Sequence, residues 1–372
     1  MRERGTLACR VSDVVEVLDG FAPPHLAAEG DRVGLQLGEP EGEVAKILVT
    51  LDVLPEVVEE ARGLGASLII SHHPLIRAET PDLVSSKPAG RVLLLTARAG
   101  ISIFVAHTNL DKTEGGVSDA LAEEFELTDI EVLLPETEGE TYKLAVFVPE
   151  KALAKIIEAM SGAGAGIIGK YTHCTFRSSG VGTFRPEEGA KPAVGKVAEL
   201  NEVKEYRLET VVDGKRLPDV IAAMTKAHPY EEVAYDIYKR RNPSVGFGRI
   251  GDLPEDLELK DCIIRWKEKL KVRSPRVVGD LQRRIKRVAV CGGSGGDLIV
   301  HAKRRGADAF LTGDIKYHQA QLAKELNMAL LDFGHFHTER VVLPRIASLI
   351  KGADLSVEVS VSQIVTDPLE NV

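Results

Sequence analysis

ILVTLDVLPEVVEEARGLGASLIISHHP, residues 47 to 74, holds two short apolar runs separated by a helical pattern, and the second run ends in a pair of histidines. Residues 47–52 read as a strand, 55–63 as a helix and 66–70 as a second strand. Both runs are continuously apolar rather than alternating, so each strand is expected to be buried on both faces, as in a parallel sheet covered by helices. The pattern then repeats. A helix over 88–99, opened by proline and closed by Gly100, leads into the apolar run 101–106 and the segment HTNLD. Further on, 288–291, 309–312 and 329–333 are apolar runs of the same kind, each followed by a glycine-containing turn and a helical pattern. These blocks predict an α/β core in two halves, residues 1–137 and 242–372, which read as distant structural copies of each other.

Between the halves the order of elements changes. Strand 143–148, helix 151–160, strands around 174–181 and 205–212, helix 217–227 and strand 233–238 spell βαββαβ, so residues 138–241 are expected to form an inserted ferredoxin-like α+β domain. The glycine-rich stretch GAGAGIIGKY suits a turn within it, and NPSVGFGRIG, residues 242–251, returns the chain to the core.

Composition narrows the function classes. A length of 372 residues allows two or three domains, and 44% hydrophobic with 28% charged residues excludes a disordered or fibrous chain. No apolar run is long enough to span a bilayer, and the amino terminus has no signal-peptide stretch, so a cytoplasmic protein without membrane contact is expected. The cysteines Cys9, Cys174, Cys262 and Cys291 form no CxxC pair, which argues against a disulfide framework or a thiolate zinc site. A net charge of −9 opposes non-specific nucleic-acid binding, and the basic run at 265–287 reads as the wet face of a helix and its flanking loop.

The chemistry gathers where core strands end. SHHP (71–74), HTNLD (107–111) and GHFHTE (334–339) each place histidine or carboxylate directly after a buried run. Ligands of open parallel sheets bind beyond the carboxyl ends of the strands, so these segments can converge on one crevice. If Gly334 opens a helix running through Val341 to Leu349, His335 and Glu339 share one face at spacing i, i+4 and can reach one metal ion or a pair. His72 and His73 can share a pocket only in a turn, which Pro74 helps to enforce. Asp111 and Glu339 supply the negative charge that two divalent cations require, and the mixed imidazole and carboxylate set suits zinc, manganese, iron or cobalt better than magnesium or calcium. His107 reads as a ligand or as a residue that orients one, and His337 faces away from the His335 side. His25, His173, His228 and His301 read as ordinary polar residues. CGGSGGD, residues 291–297, reads either as a phosphate-holding turn or as a tight structural turn; in GDIKYH, Asp314 and His318 are placed to line a substrate pocket, with capping by Asp314 the simpler account.

SHHP, HTNLD, GDIKYH and GHFHTE, in this order, resemble the NIF-three-like family, whose bacterial members are known as GTP cyclohydrolase 1 type 2 homologues. The likeness extends to RVGLQLG (32–38), YTHCTFRSSGVGTFRPEEG (171–189) and AHPYEE (227–232), as in the long members whose insert is similar to PII and CutA proteins. Arg32 departs from the Asn that relatives often carry. The resemblance implies a dinuclear metal site with His72, His73, Asp111, His335 and Glu339 as ligands, zinc being the first choice, and a toroidal homohexamer with these sites facing its cavity. It further implies a metal-dependent hydrolase acting on a nucleotide or other small molecule. In the GTP cyclohydrolase reading, water attacks the imidazole ring carbon of guanine, His107 or His337 moves protons, and the turn at 292–296 holds the triphosphate. The alternative is a metal-binding scaffold or regulator without turnover.

Overall fold

The computed structural model describes residues 8–77, 83–136, 141–240 and 245–369. The chain divides into two compact units, residues 1–136 together with 244–372, and residues 137–243. In chain order the strands are β1 (Gly34–Leu37), β2 (Lys46–Thr50), β3 (Leu68–Ser71), β4 (Ser102–Val105), β5 (Thr128–Pro135), β6 (Thr141–Pro149), β7 (Thr175–Phe184), β8 (Asn201–Asp213), β9 (Tyr235–Lys239), β10 (Gly246–Glu258), β11 (Arg276–Val278), β12 (Arg284–Ser294), β13 (Ala309–Gly313), β14 (Ala329–Asp332) and β15 (Glu358–Val361).

The larger unit is built on two sheets. One runs β1-β4-β3-β2-β15, with β15, β2, β3 and β4 parallel and β1 antiparallel to β4. The other runs β11-β14-β13-β12-β10-β5, with β12, β13 and β14 parallel and the remaining pairings antiparallel. Each sheet therefore carries a consecutive parallel triplet with an antiparallel strand against its third member. The two blocks share a topology, and the α/β class holds.

The continuous apolarity of β2, β3 and β4 has its cause in packing on both faces. Ile47, Val49, Leu68, Ile70 and Phe104 pack with Val14 and Leu18 of helix Val11–Phe21 and with Ile346 and Ile350 of helix Leu343–Gly352. Leu48, Ile69, Ile103 and Val105 face the other way, onto Val57, Val58 and Ala61 of helix Pro55–Leu64 and Val92 of helix Pro88–Arg98. Full burial of one such side chain contributes about 1.5–3 kcal/mol.

Two expectations are corrected. The core sheets are mixed: β1, β5, β10 and β11 join them antiparallel, and neither these strands nor the parallel edge strand β15 carries a continuous apolar run that marks it in the sequence. β10, read as a returning loop, includes glycines, charges and Pro254. The helix from Gly334 is also not continuous: it spans His335–Glu339, tightens into a 3₁₀ turn at Arg340–Val342 and resumes over Leu343–Gly352. Pro344 has no N–H for the carbonyl of Arg340, so an unbroken α-helix is not available there.

The smaller unit is a sheet of order β7-β8-β6-β9, antiparallel throughout. Helices Leu153–Gly162 and Leu217–Ala227 cover one face, where Leu144, Val146, Val148, Ile156, Met160, Leu208, Val220 and Met224 form its core. This is the ferredoxin-like arrangement. Among the described residues no helix is long and apolar enough to cross a membrane. The basic run at 265–287 is largely engaged at home: Arg265 pairs with Glu255, Lys269 with Glu126 and Arg276 with Asp332, while Trp266 is buried against Phe125.

Candidate metal centre

Strands of both core sheets end at one cavity of about 570 Å³ in the larger unit. His72 and His73 follow β3, His107 follows β4 and His335 follows β14, so the carboxyl-end rule places all three histidine segments correctly. Beyond β3 the backbone stays tied to the end of β2, with the His72 and His73 amides donating to Thr50 and Leu51 carbonyls at 3.2 and 2.8 Å. The paired rings lie with centroids 4.9 Å apart, His73 lining the cavity and His72 fully buried behind it. Gly334 opens the His335 turn at φ 85° and ψ 149°, a conformation that is essentially restricted to glycine.

The acid Glu339 joins these segments. Its Oε1 lies 3.0 Å from His335 Nε2 and 3.6 Å from His72 Nε2, and its Oε2 lies 3.0 Å from His73 Nε2. His72 Nε2 is also 3.6 Å from Asp111 Oδ1, and the Nε2 atoms of His73 and His335 are 3.2 Å apart. Residues from position 72 to position 339 thus meet in one place, as the strand-end argument predicts. The described residues contain two groups able to take a metal ion, His72 with His73 and His107, and His73 with His335 and Glu339.

Each imidazole is held by its far side. Nδ1 of His72 donates to the Ala106 carbonyl at 2.8 Å, and Nδ1 of His73 to Asp52 Oδ1 at 2.8 Å. His335 Nδ1 donates to Asp314 Oδ2 at 2.7 Å, and His107 Nδ1 to both oxygens of Asp31 at 3.0 Å. Fixing a proton on Nδ1 in this way leaves Nε2 with the lone pair whenever the ring is neutral, an arrangement that suits metal binding through Nε2. Asp31, Asp52 and Asp314 were not singled out as site residues of this kind. Asp52 follows β2 just as His72 follows β3, and that placement is the signal by which it could be found. Asp314 does not cap the following helix; Lys316 occupies that position, and Asp314, in the left-handed region at φ 56°, turns to His335 instead.

Three buried atoms of the cluster, His72 Nε2, Asp111 Oδ1 and Glu339 Oε2, have no hydrogen-bond partner. His73 is within reach of Glu339 Oε2 in distance but not in hydrogen-bonding direction. A buried unpartnered polar atom costs about 1–3 kcal/mol, so a cluster of them facing one point marks a place built for a ligand. Charge agrees. Burial would raise the Glu339 carboxyl, yet the surrounding imidazoles hold it well below the usual carboxylate range. Burial pushes Asp111 up to about 7, only partly opposed by His72. Burial opposes charge on His73, but Asp52 and Glu339 raise it to about 10; Glu339, and secondarily Asp314, raise His335 to about 9 against its burial. The protein on its own thus gathers protons where cations fit, and these residues suit a divalent ion. His107 differs: burial and the neighbouring His72 charge lower its pKa.

The glycine turn at the end of β12 closes the cavity wall. Gly293, at φ 64°, comes so close that a Cβ there would stand 2.1 Å from Glu339 Oε1 and 3.3 Å from His335 Nε2. Its amide donates to Thr338 Oγ1 at 3.0 Å and that of Gly295 to Thr312 Oγ1 at 2.8 Å. The amides of Gly293 and Gly295 are thus engaged within the fold, while Gly292 and Ser294 line the cavity. Gly293→Ala is expected to lower metal affinity by about tenfold or more, since it displaces Glu339, with a loss of stability of only about 1–3 kcal/mol. Metal titration alongside thermal melting checks both.

His337 points away from the centre. Its Nδ1 donates to the Leu270 carbonyl at 3.0 Å, and its Nε2 lies 3.7 Å from Asp367. The smaller unit has a cavity of similar size, about 560 Å³, but its walls include Phe147, Phe184, Pro186 and Pro192, with no metal-binding cluster among the described residues.

The family model for Duf34/NIF3 (NGG1p interacting factor 3) matches residues 9–368. The GTP cyclohydrolase 1 type 2 homolog of Bacillus subtilis is 42% identical over 361 residues, covering 95% of this chain and 96% of that protein. The protein of the same name from Mycobacterium leprae is 38% identical over 371 residues, covering 97% and 95%. Among solved structures, a Bacillus cereus protein related to NIF3 matches with a TM-score of 0.72 at 39% identity, covering 98% of this chain and 99% of that one. A Staphylococcus aureus protein matches with a TM-score of 0.73 at 29% identity, covering 98% and 99%.

Proposed function

Since the chain belongs to the Duf34/NIF3 family, we propose that it is a metal-dependent hydrolase that holds two divalent ions on His72, His73, Asp111, His335 and Glu339. The observation that carries this reading is the convergence of His72 Nε2, Asp111 Oδ1 and Glu339 Oε2, all buried and unpartnered, beside the Nε2 atoms of His73 and His335. Imidazole and carboxylate donors together favour zinc, with manganese, iron or cobalt as the alternatives. Divalent ions held there would supply Lewis acidity and make water a competent nucleophile near neutral pH.

The chain's own groups supply the rest. His107 lines the same cavity, and its lowered pKa keeps the ring neutral near pH 7, so it can accept a proton from water and pass it to the leaving atom. Asp31 holds the His107 ring by Nδ1, fixing which nitrogen does this. Arg32 and Arg77 line the cavity as well and give its wall positive charge suited to an anionic substrate. The name shared by the relatives makes GTP the first substrate to try, with attack at the ring carbon of guanine.

The test is turnover by the metal-loaded protein, followed by chromatographic loss of GTP and of a panel of phosphoesters. Product is expected with zinc, manganese, iron or cobalt, and His107→Ala is expected to lower the rate by about a hundredfold per bound metal ion, with metal content measured alongside. A loaded protein that leaves every substrate intact would refute the hydrolase reading and leave a metal-binding scaffold.

A further inference from the structure

We propose that the segment following β15 is a clasp on the metal centre, in which Thr366 is a positioning residue that acts on His73 through Asp52. This rests on the reading of the cluster as a metal site. The segment leaves β15 with the Ser362 amide donating to the Val49 carbonyl at 2.8 Å. It is then pinned to Glu60, with Ser362 Oγ at 2.5 Å from Oε2 and the Gln363 amide at 2.9 Å from Oε1. Ile364 packs on the core cluster that contains Leu48 and Val57. These contacts are enough to dock the segment. Thr366 does something else: its hydroxyl donates to Asp52 Oδ2 at 2.5 Å, while the other oxygen of that carboxylate takes the His73 Nδ1 proton at 2.8 Å.

An aspartate carboxylate turns easily about its last bond, where the torsional preference is broad. Held by one oxygen, Asp52 could follow the His73 ring; held by both, it fixes the ring plane and keeps the proton on Nδ1. His73 Nε2 is then aimed to where it lies 3.0 Å from Glu339 Oε2 and 3.2 Å from His335 Nε2. Groups that orient a ligand in this way typically change metal affinity by about 10–100-fold.

The experiment uses the full chain stripped of metal by chelation and titrated with cobalt(II), read by visible absorption and by competition with a chelator. Thr366→Val is expected to weaken binding about tenfold, and Thr366→Ser, which keeps the hydroxyl, to bind as the unaltered chain does. In an Asp52→Ala background, which leaves Thr366 no partner there, Thr366→Val should add no further loss. Equal binding by Thr366→Val, equal weakening by Thr366→Ser, or an additive loss in the Asp52→Ala background each overturns the clasp. Should melting of the metal-free protein show that the valine variant does not fold, Thr366→Ala removes the same hydroxyl and takes its place. His335→Ala separates the two levels: if it still binds cobalt normally, the metal-site reading fails, whereas if it loses the ion and Thr366→Val does not, only the clasp fails.

Discussion

Glu339→Gln is expected to empty the metal centre, with metal content by elemental analysis falling to background and affinity falling on the order of a hundredfold or more, beyond what outer partners alone produce. The reason is position. The carboxylate is 4% exposed and lies within 3.0 Å of both His73 and His335 and 3.6 Å of His72. An amide removes the charge and points N–H groups at imidazole lone pairs. The metal-free variant should lose at most about 3–5 kcal/mol of stability, because the imidazoles can shed their protons instead of remaining charged and unpaired.

The pH dependence of that loss has a definite sign. The pKa values of His73 and His335 are raised to about 10 and about 9, so their contribution is full below about pH 6.5 and fades as pH rises through those values. Glu339 is lowered, so its contribution is full above about pH 4.5 and fades as pH falls towards its folded value. Urea unfolding of the metal-free proteins should therefore separate variant from parent most clearly between about pH 5 and 6.5, and least above pH 10. Metal ions need neutral imidazoles, so their uptake near pH 7.5 releases protons and strengthens with rising pH. A variant that still carries stoichiometric metal would end the assignment.

The second large effect concerns stability alone. Arg249, 2% exposed, donates to Asp119 Oδ1 and Oδ2 at 2.7 and 2.6 Å and to the carbonyls of Thr113, Gly246 and Gly248, each at 2.9 Å. Arg249→Met strands a carboxylate and those carbonyls together, and is expected to cost about 3–5 kcal/mol by urea unfolding. Removing both partners is far less harmful than removing one, so Arg249→Met with Asp119→Leu should regain part of the loss. A single variant within about 1 kcal/mol of the parent, or a double variant no better than the single, would show that this buried pair is not what holds β10 to the segment after Asp111.

What could be read from the sequence follows from what burial leaves visible in it. The parallel triplets were legible because strands covered on both faces must be apolar at every position, as at Leu68, Ile69 and Ile70. The strand-end rule then brought His72, His73, Asp111, His335 and Glu339 into one cluster. β10 was missed because a fully buried arginine looks like a surface residue until its partner Asp119, 130 positions away, is seen. The contact of Asp31 with His107 is hidden for the same reason, whereas Asp52 is marked by its place after β2 and Asp314 was expected as a cap rather than as the partner of His335. A single carboxylate that reaches a histidine across the fold has no spacing to betray it, and the close approach of Gly293 to Glu339 leaves no mark on its neighbours.

The order in which these residues are synthesised has its own consequence. The first histidine pair leaves the ribosome long before Glu339, while residues 137–243 form a compact unit of their own and can fold in the interval. No nascent chain shorter than Glu339 can offer the whole of the proposed ligand set. On that proposal, capture of an ion would be a late event, confined to the time after translation of that residue.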